Sequence, residues 1–203
     1  MAADVDAVVF DLGGVLIDWN PRHLYRRLFN DDVAMEEFLT TICTLEWHVA
    51  HDLGHSIDES CAELALVHPE HAPMILAWAE RGEDMIAGPI DGSVEILAEL
   101  KAAGVPCYVL SNMERETFPL RLERFEFLHW FDGHVISGQE GVIKPDPSIF
   151  QRLLQRFDLP PARTVFIDDS AINVEAAAEI GIHAIHFESP AQLRADLEEL
   201  GAL

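Results

Sequence analysis

Four strand-like runs in this chain end abruptly in polar residues, and that arrangement restricts the fold more than any other feature. The first, Val8-Val9-Phe10, is closed at once by Asp11 and followed by Leu12 and the pair Gly13-Gly14. Consecutive apolar residues bounded by an acid and a glycine pair read as a buried parallel strand entering a turn. Val105 to Leu110 ends in Ser111-Asn112, His134 to Ser137 leads to a loop holding Lys144, and Thr164 to Ile167 ends in Asp168-Asp169. Helical stretches are expected between and around them, at Asp91–Ala103 with Gly104 as its stop, Glu114–Phe125 bent at Pro119, Pro147–Phe157, and Asn173–Ile180 stopped by Gly181. A last strand over Ile182–Phe187 and a helix over Ala191–Leu200 complete the series. Strands alternating with helices predict an α/β fold, a doubly covered parallel sheet with right-handed crossovers.

Between the first strand and this series the texture changes. Asp18-Trp19-Asn20-Pro21 reads as a turn, with Asn20 as an N-cap and Pro21 at the first helical position. From Pro21 to Met85, apolar residues recur at three- and four-residue spacing, as in Leu24 and Leu28, Phe38 and Ile42, Ile75 and Trp78. The expected organisation is therefore a core of residues 1–17 and 86–203 with an all-helical insert of 18–85. A chain of 203 residues is long enough for one core and such an insert.

Composition excludes several partners. A net charge of −23 opposes nucleic acid and anionic membrane surfaces. The longest apolar runs are too short to span a bilayer. Cys43, Cys61 and Cys107 are odd in number and widely spaced, which suits reduced thiols in a cytoplasm and no zinc motif. Acids at Asp4 and Asp6, rather than a basic region, make a secretory leader unexpected.

In a parallel sheet the polar ends lie on one edge, where such sheets hold their ligands. Asp11, Ser111, Asn112, Lys144, Asp168 and Asp169 therefore converge. At a buried strand tip an aspartate is salt-bridged, a metal ligand or a nucleophile. Together with a hydroxyl, an amide, a lysine and paired carboxylates it suits phosphoryl transfer assisted by a divalent cation. Like charges about 4 Å apart repel by about 4 kcal/mol at an effective dielectric of about 20. Lys144 is one of only two lysines, so three acids at one edge call for a cation, and hard oxygens select Mg²⁺.

These stretches resemble the four motifs of the haloacid dehalogenase superfamily, in its phosphatase branch with a helical cap after the first strand. Phe10 to Leu16 is similar to the first motif, Leu110-Ser111-Asn112 to the second, Lys144-Pro145-Asp146-Pro147 to the third, and Phe166 to Ser170 to the fourth. The resemblance spans essentially the whole chain. It implies a Rossmann-like core and hydrolysis of a small phosphorylated metabolite, sugar phosphates among the candidates, through an aspartyl-phosphate on Asp11. It further implies that Ser111 and Lys144 hold the phosphoryl oxygens, with Asn112 orienting them and Leu12 and Gly13 beside the substrate. Asp11, the Gly13 carbonyl and Asp169 would bind Mg²⁺, and Asp168 would be a weaker or outer partner.

One position departs from that pattern. Most such phosphatases carry a second aspartate two residues after the nucleophile as general acid, where this chain has Gly13. Its loss is worth about 10²–10⁴-fold. The chain is then expected to favour good leaving groups, or to borrow an acid from the insert or Asp18. A 2-haloacid dehalogenase is the alternative, since halide leaves without a proton; such enzymes work without metal, and the paired Asp168-Asp169 favours the phosphatase. A non-catalytic phosphate sensor is a further alternative. No motif names the substrate or the oligomeric state.

Other candidates have plainer readings. His48, His51 and His55 beside Asp52 have the spacing of a metal site on a helix, but Gly54 is expected to interrupt that helix before His55, and ten histidines make such spacings common by chance. Trp19, Arg22 and Trp47 are placed to face a ligand, although Arg22 equally suits a solvated helix start. Trp78 reads as core, Asp91-Gly92-Ser93 as a cap, and Glu114-Arg115-Glu116 as a solvated first turn, with Arg115 close enough to Asn112 to touch substrate. The acids of the last helix are a solvated face.

Overall fold

The computed structural model describes residues 5–203. The chain runs through β1 (Ala7–Phe10), β2 (Ile17–Trp19), α1 (Pro21–Tyr25), α2 (Asp32–Thr41), α3 (Leu45–Asp52), α4 (Ile57–Val67) and α5 (Ala72–Glu80). It continues through β3 (Ile86–Pro89), α6 (Asp91–Ala102), β4 (Cys107–Ser111), α7 (Thr117–Arg124), β5 (Gly133–Ile136) and α8 (Ser137–Glu140). It closes with α9 (Pro147–Phe157), β6 (Thr164–Asp168), α10 (Ala171–Glu179), β7 (His183–His186) and α11 (Pro190–Leu200).

Five strands form one parallel sheet in the order β5-β4-β1-β6-β7. β1 is its middle strand, and this explains an unbroken apolar run with no exposed residue. Val8 and Phe10 pack to one side with Ile96, Leu97 and Leu193, whereas Val9 packs to the other with Phe150, Leu153 and Phe166. Each fully buried aliphatic or aromatic side chain contributes about 1.5–3 kcal/mol relative to exposure. Because every strand points the same way, all five C-terminal tips share an edge.

The helices α1 to α5 enclose a separate apolar cluster around Tyr25, Phe38 and Trp78, so Trp78 is core as its spacing indicated. Asn20 caps α1 by accepting from the Arg22 N–H at 3.0 Å. Asp18 and Trp19, expected in a turn, instead form part of β2, which pairs antiparallel with β3. The two strands are three and four residues long, too short to leave a period in the sequence. They carry the chain into and out of the helices side by side.

Two local expectations are corrected, and one short element was unforeseen. Ile90, not the Asp91-Gly92-Ser93 stretch, is the cap residue of α6, and it caps without a side-chain bond. Pro119 sits in the first turn of α7 rather than bending it, where a missing N–H has no helical partner to lose. α8, four residues long, carried no signal. Among the described residues the three cysteines are buried and unpaired, and no helix is long and apolar enough to cross a membrane.

Candidate active site

β1 ends at Phe10, and the Asp11 N–H still donates to the Ile167 carbonyl at 2.9 Å, holding the residue against the tip of β6. Its Oδ1 accepts from the Leu12 N–H at 2.7 Å and lies 3.1 Å from Lys144 Nζ. The chain then turns sharply, the Leu12 carbonyl accepting from Leu16 and Ile17, both at 2.9 Å. Gly14 has φ +72°, and a Cβ there would stand 2.1 Å from Asp169 Oδ2. A Cβ at Gly13 would meet nothing within 4 Å, so no crowding excludes a side chain at that position.

The turn therefore needs its second glycine and tolerates change at its first. Gly14→Ala is expected to destabilise the protein by about 1–2 kcal/mol from the left-handed backbone alone, with the Asp169 clash added. Gly13→Ala should stay within about 0.5 kcal/mol. Thermal unfolding of the two variants checks the contrast.

Lys144 is buried, with only 1% of its side chain exposed. Nζ donates to the Leu110 carbonyl at 2.9 Å and to Asp168 Oδ2 at 2.6 Å, and its third hydrogen remains for the side of Asp11. Asn112 fixes the loop: its Nδ2 donates to the Lys144 carbonyl at 3.0 Å, and its Oδ1 accepts from the Lys144 N–H at 2.9 Å. The carboxamide is thus spent on holding the lysine. Asp168 is equally engaged, its Oδ1 accepting from the Ser170 N–H at 2.9 Å and from Asn173 Nδ2 at 3.0 Å. Asn173 gave no warning in the sequence, since it lies one helical turn past the motif.

One carboxylate oxygen each from Asp11, Asp168 and Asp169 lies within 4.8 Å of the others. Burial pushes the Asp11 carboxyl up to about 7; Lys144 pulls it back, and Asp168 and Asp169 push it up again. Burial works against the charge on Lys144, but the two carboxylates outweigh it and hold the ammonium above its ordinary range. With Asp168 saturated by donors, the oxygens left for a metal are those of Asp11 and Asp169. Such hard donors at this spacing fit Mg²⁺.

A cavity of about 690 Å³ opens between the strand tips and the helices. Leu12, Gly13, Ser111, Asn112, Lys144 and Asp169 line its sheet side, while Trp19, His48 and Asp52 line the opposite side. Arg22 instead lines a smaller neighbouring cavity and is paired with Glu36. Trp47 is wedged edge-on against His51 and Trp78 and lines neither cavity. Arg115 is exposed and donates to the Gly138 carbonyl at 3.2 Å.

Two of the three spaced histidines do come together. α3 ends at Asp52 before Gly54, so His55 falls outside it. His48 Nδ1 lies 3.1 Å from His51 Nδ1, and Trp19 stacks on His48. His48 Nε2 is 3.8 Å from Asp52 Oδ1 and 3.9 Å from Glu114 Oε1. Burial lowers both imidazoles, His51 to about 4, while Glu114 pulls His48 back up. Glu114, read as solvated, turns inward with 14% of its side chain exposed. The missed signal was topological, because the loop after β4 faces α3 only in the folded chain.

A family profile described as haloacid dehalogenase-like hydrolase matches residues 5–181. The sesquiterpene phosphatase astK of Aspergillus oryzae is 27% identical over 98% of this chain and 98% of its own. The validoxylamine A 7′-phosphate phosphatase of Streptomyces hygroscopicus subsp. limoneus is 27% identical over 87% of this chain and 83% of its own. A haloacid dehalogenase family enzyme of Bacteroides thetaiotaomicron, solved with magnesium and inorganic phosphate, superposes with a TM-score of 0.66 at 20% identity. That likeness covers 91% of this chain and 95% of the other.

Proposed function

The chain belongs to the haloacid dehalogenase-like hydrolases, and from that premise we propose that it is a Mg²⁺-dependent phosphatase of small phosphomonoesters with Asp11 as nucleophile. One observation carries the reading: carboxylate oxygens of three acids within 4.8 Å of one another around a buried lysine, with that lysine and Asp169 lining a cavity sized for a metabolite. The names of the two phosphatase relatives support it.

In this reading one oxygen of the Asp11 carboxylate, held in place by the Leu12 N–H and Lys144, attacks phosphorus, leaving the other for the ion. The bond to the leaving oxygen breaks, and water then releases phosphate from the aspartyl-phosphate. Lys144 and the Ser111 hydroxyl hold phosphoryl oxygens, with Asn112 keeping the lysine loop in place. Asp11, Asp169 and the Gly13 carbonyl would hold Mg²⁺, with Asp168 outside them. The ion would neutralise charge on the transferring group and let a protein of net charge −23 accept a dianion. Residues 18–85 act as a cap that excludes water from the first step and admits it to the second.

Phosphate release from a panel of phosphomonoesters is expected with Mg²⁺, to vanish in chelator and to return on adding the ion back. Mg²⁺ at about 100 times its Kd should also stabilise the metal-stripped protein by about 2.7 kcal/mol. Halide release from a 2-haloacid that survives chelation, without phosphate release, would replace this reading with that of a dehalogenase.

A further inference from the structure

Resting on the phosphatase reading, we propose that Asp52 is the acid that protonates the leaving-group oxygen. An alkoxide expelled from phosphorus is a poor leaving group unless it receives a proton as the bond breaks. Gly13 has no side chain to give one, two hydrogens of Lys144 are bound to Leu110 and Asp168, and Asn112 is spent on the lysine loop. Asp18 lines neither cavity and is bonded to His23 at 2.9 Å.

Asp52 differs from all of these. It lines the cavity together with Gly13, Ser111 and Lys144, but from the opposite wall, where a bound ester's alcohol portion would lie. Its backbone is pinned to the sheet side: Ser137 Oγ donates to the Asp52 carbonyl at 2.6 Å, and it accepts from the Met113 N–H at 2.9 Å. A Cβ at Gly54, with φ +99°, would stand 3.1 Å from the Gly138 carbonyl, so the turn after α3 is also seated there. The carboxyl is thereby carried on the helices yet located by the catalytic sheet.

The carboxyl is also kept neutral. Oδ1 is buried with no hydrogen-bond partner, a position that penalises an ionised carboxylate severely. The groups facing it are His48, 3.8 Å away on the same helix, Glu114 from the loop after β4, Asp11 at the tip of β1, and Lys144. Burial, Glu114 and Asp11 push the carboxyl up to about 8, and Lys144 pulls it down. As Asp11 bonds to phosphorus and the P–O bond breaks, the Asp52 proton passes to the departing oxygen, giving the alcohol and an Asp52 carboxylate. That carboxylate takes a proton from the water that next attacks phosphorus, so phosphate and the free Asp11 carboxylate are released and Asp52 is reset.

The test compares Asp52→Asn with the natural protein, in Mg²⁺, on a primary alkyl phosphate and on p-nitrophenyl phosphate, whose leaving group needs no proton. In kcat/KM, which reports the step that expels the leaving group, the variant is expected to lose about 10²–10⁴-fold on the alkyl ester and no more than several-fold on the aryl ester. Equal losses on both, or none on either, overturn the proposal. A second measurement uses the natural protein alone: kcat/KM across aryl phosphates of graded phenol pKa should be nearly flat, and a steep dependence overturns the assignment even if the variant misfolds. If the natural protein hydrolyses neither ester, the phosphatase reading itself falls and this proposal with it.

Discussion

Asp11→Asn is expected to reduce kcat on any phosphomonoester the protein accepts by on the order of 10⁴-fold or more, the scale seen when a covalent nucleophile is removed. The substitution is close to isosteric, and the amide oxygen can still accept from the Leu12 N–H that Asp11 Oδ1 now takes at 2.7 Å. It also removes one of three crowded acids, the one that burial pushes up to about 7. The metal-stripped variant should therefore melt no lower than the natural protein, which separates a chemical loss from a folding one. Acid-quenched samples mixed with substrate should show a phosphoryl adduct by intact mass in the natural protein and none in the variant. Activity within tenfold of normal in a well-folded Asp11→Asn would move the nucleophile elsewhere.

How much was legible follows from how the information is stored. The sheet was readable because β1, buried on both faces, leaves an unbroken apolar run, and because Asp11, Lys144 and Asp168 each terminate or follow such a run. Parallel topology then brings the tips together without further detail. β2 and β3 were not readable, being short and paired with each other across the whole helical segment. The division of labour at the site was equally hidden. That Asp168 serves Lys144, and that Asn112 clamps its backbone, depends on contacts spanning 24 and 32 residues. Asp52 stood out only as a neighbour of the spaced histidines and Glu114 read as the solvated first turn of a helix, and only the docking of α3 beside Ser137 turns both into the cavity.

Lys144→Met should produce the largest loss of stability of any single change in the site. Nζ is the cation shared by two buried carboxylates, 2.6 Å from Asp168 and 3.1 Å from Asp11. A methionine fills similar volume but leaves both acids without that charge, and breaking a buried ion pair from one side costs about 3–5 kcal/mol. For a chain of this size that is a fall in Tm on the order of 10 °C. The sign of the pH dependence distinguishes this cause from poor packing. Without Lys144 the Asp11 carboxyl, already up to about 7, climbs further above its unfolded value near 3.8, so the folded variant binds more protons than the unfolded one. Its stability must then fall as pH rises through that window, and the gap to the natural protein should narrow as pH drops from about 8 to about 5. Lys144→Met combined with Asp168→Asn removes one of the stranded charges and should recover part of the loss, giving a coupling well beyond the error of additivity. A gap independent of pH, or fully additive losses, would mean that the lysine acts through packing and not as the counter-charge of the site.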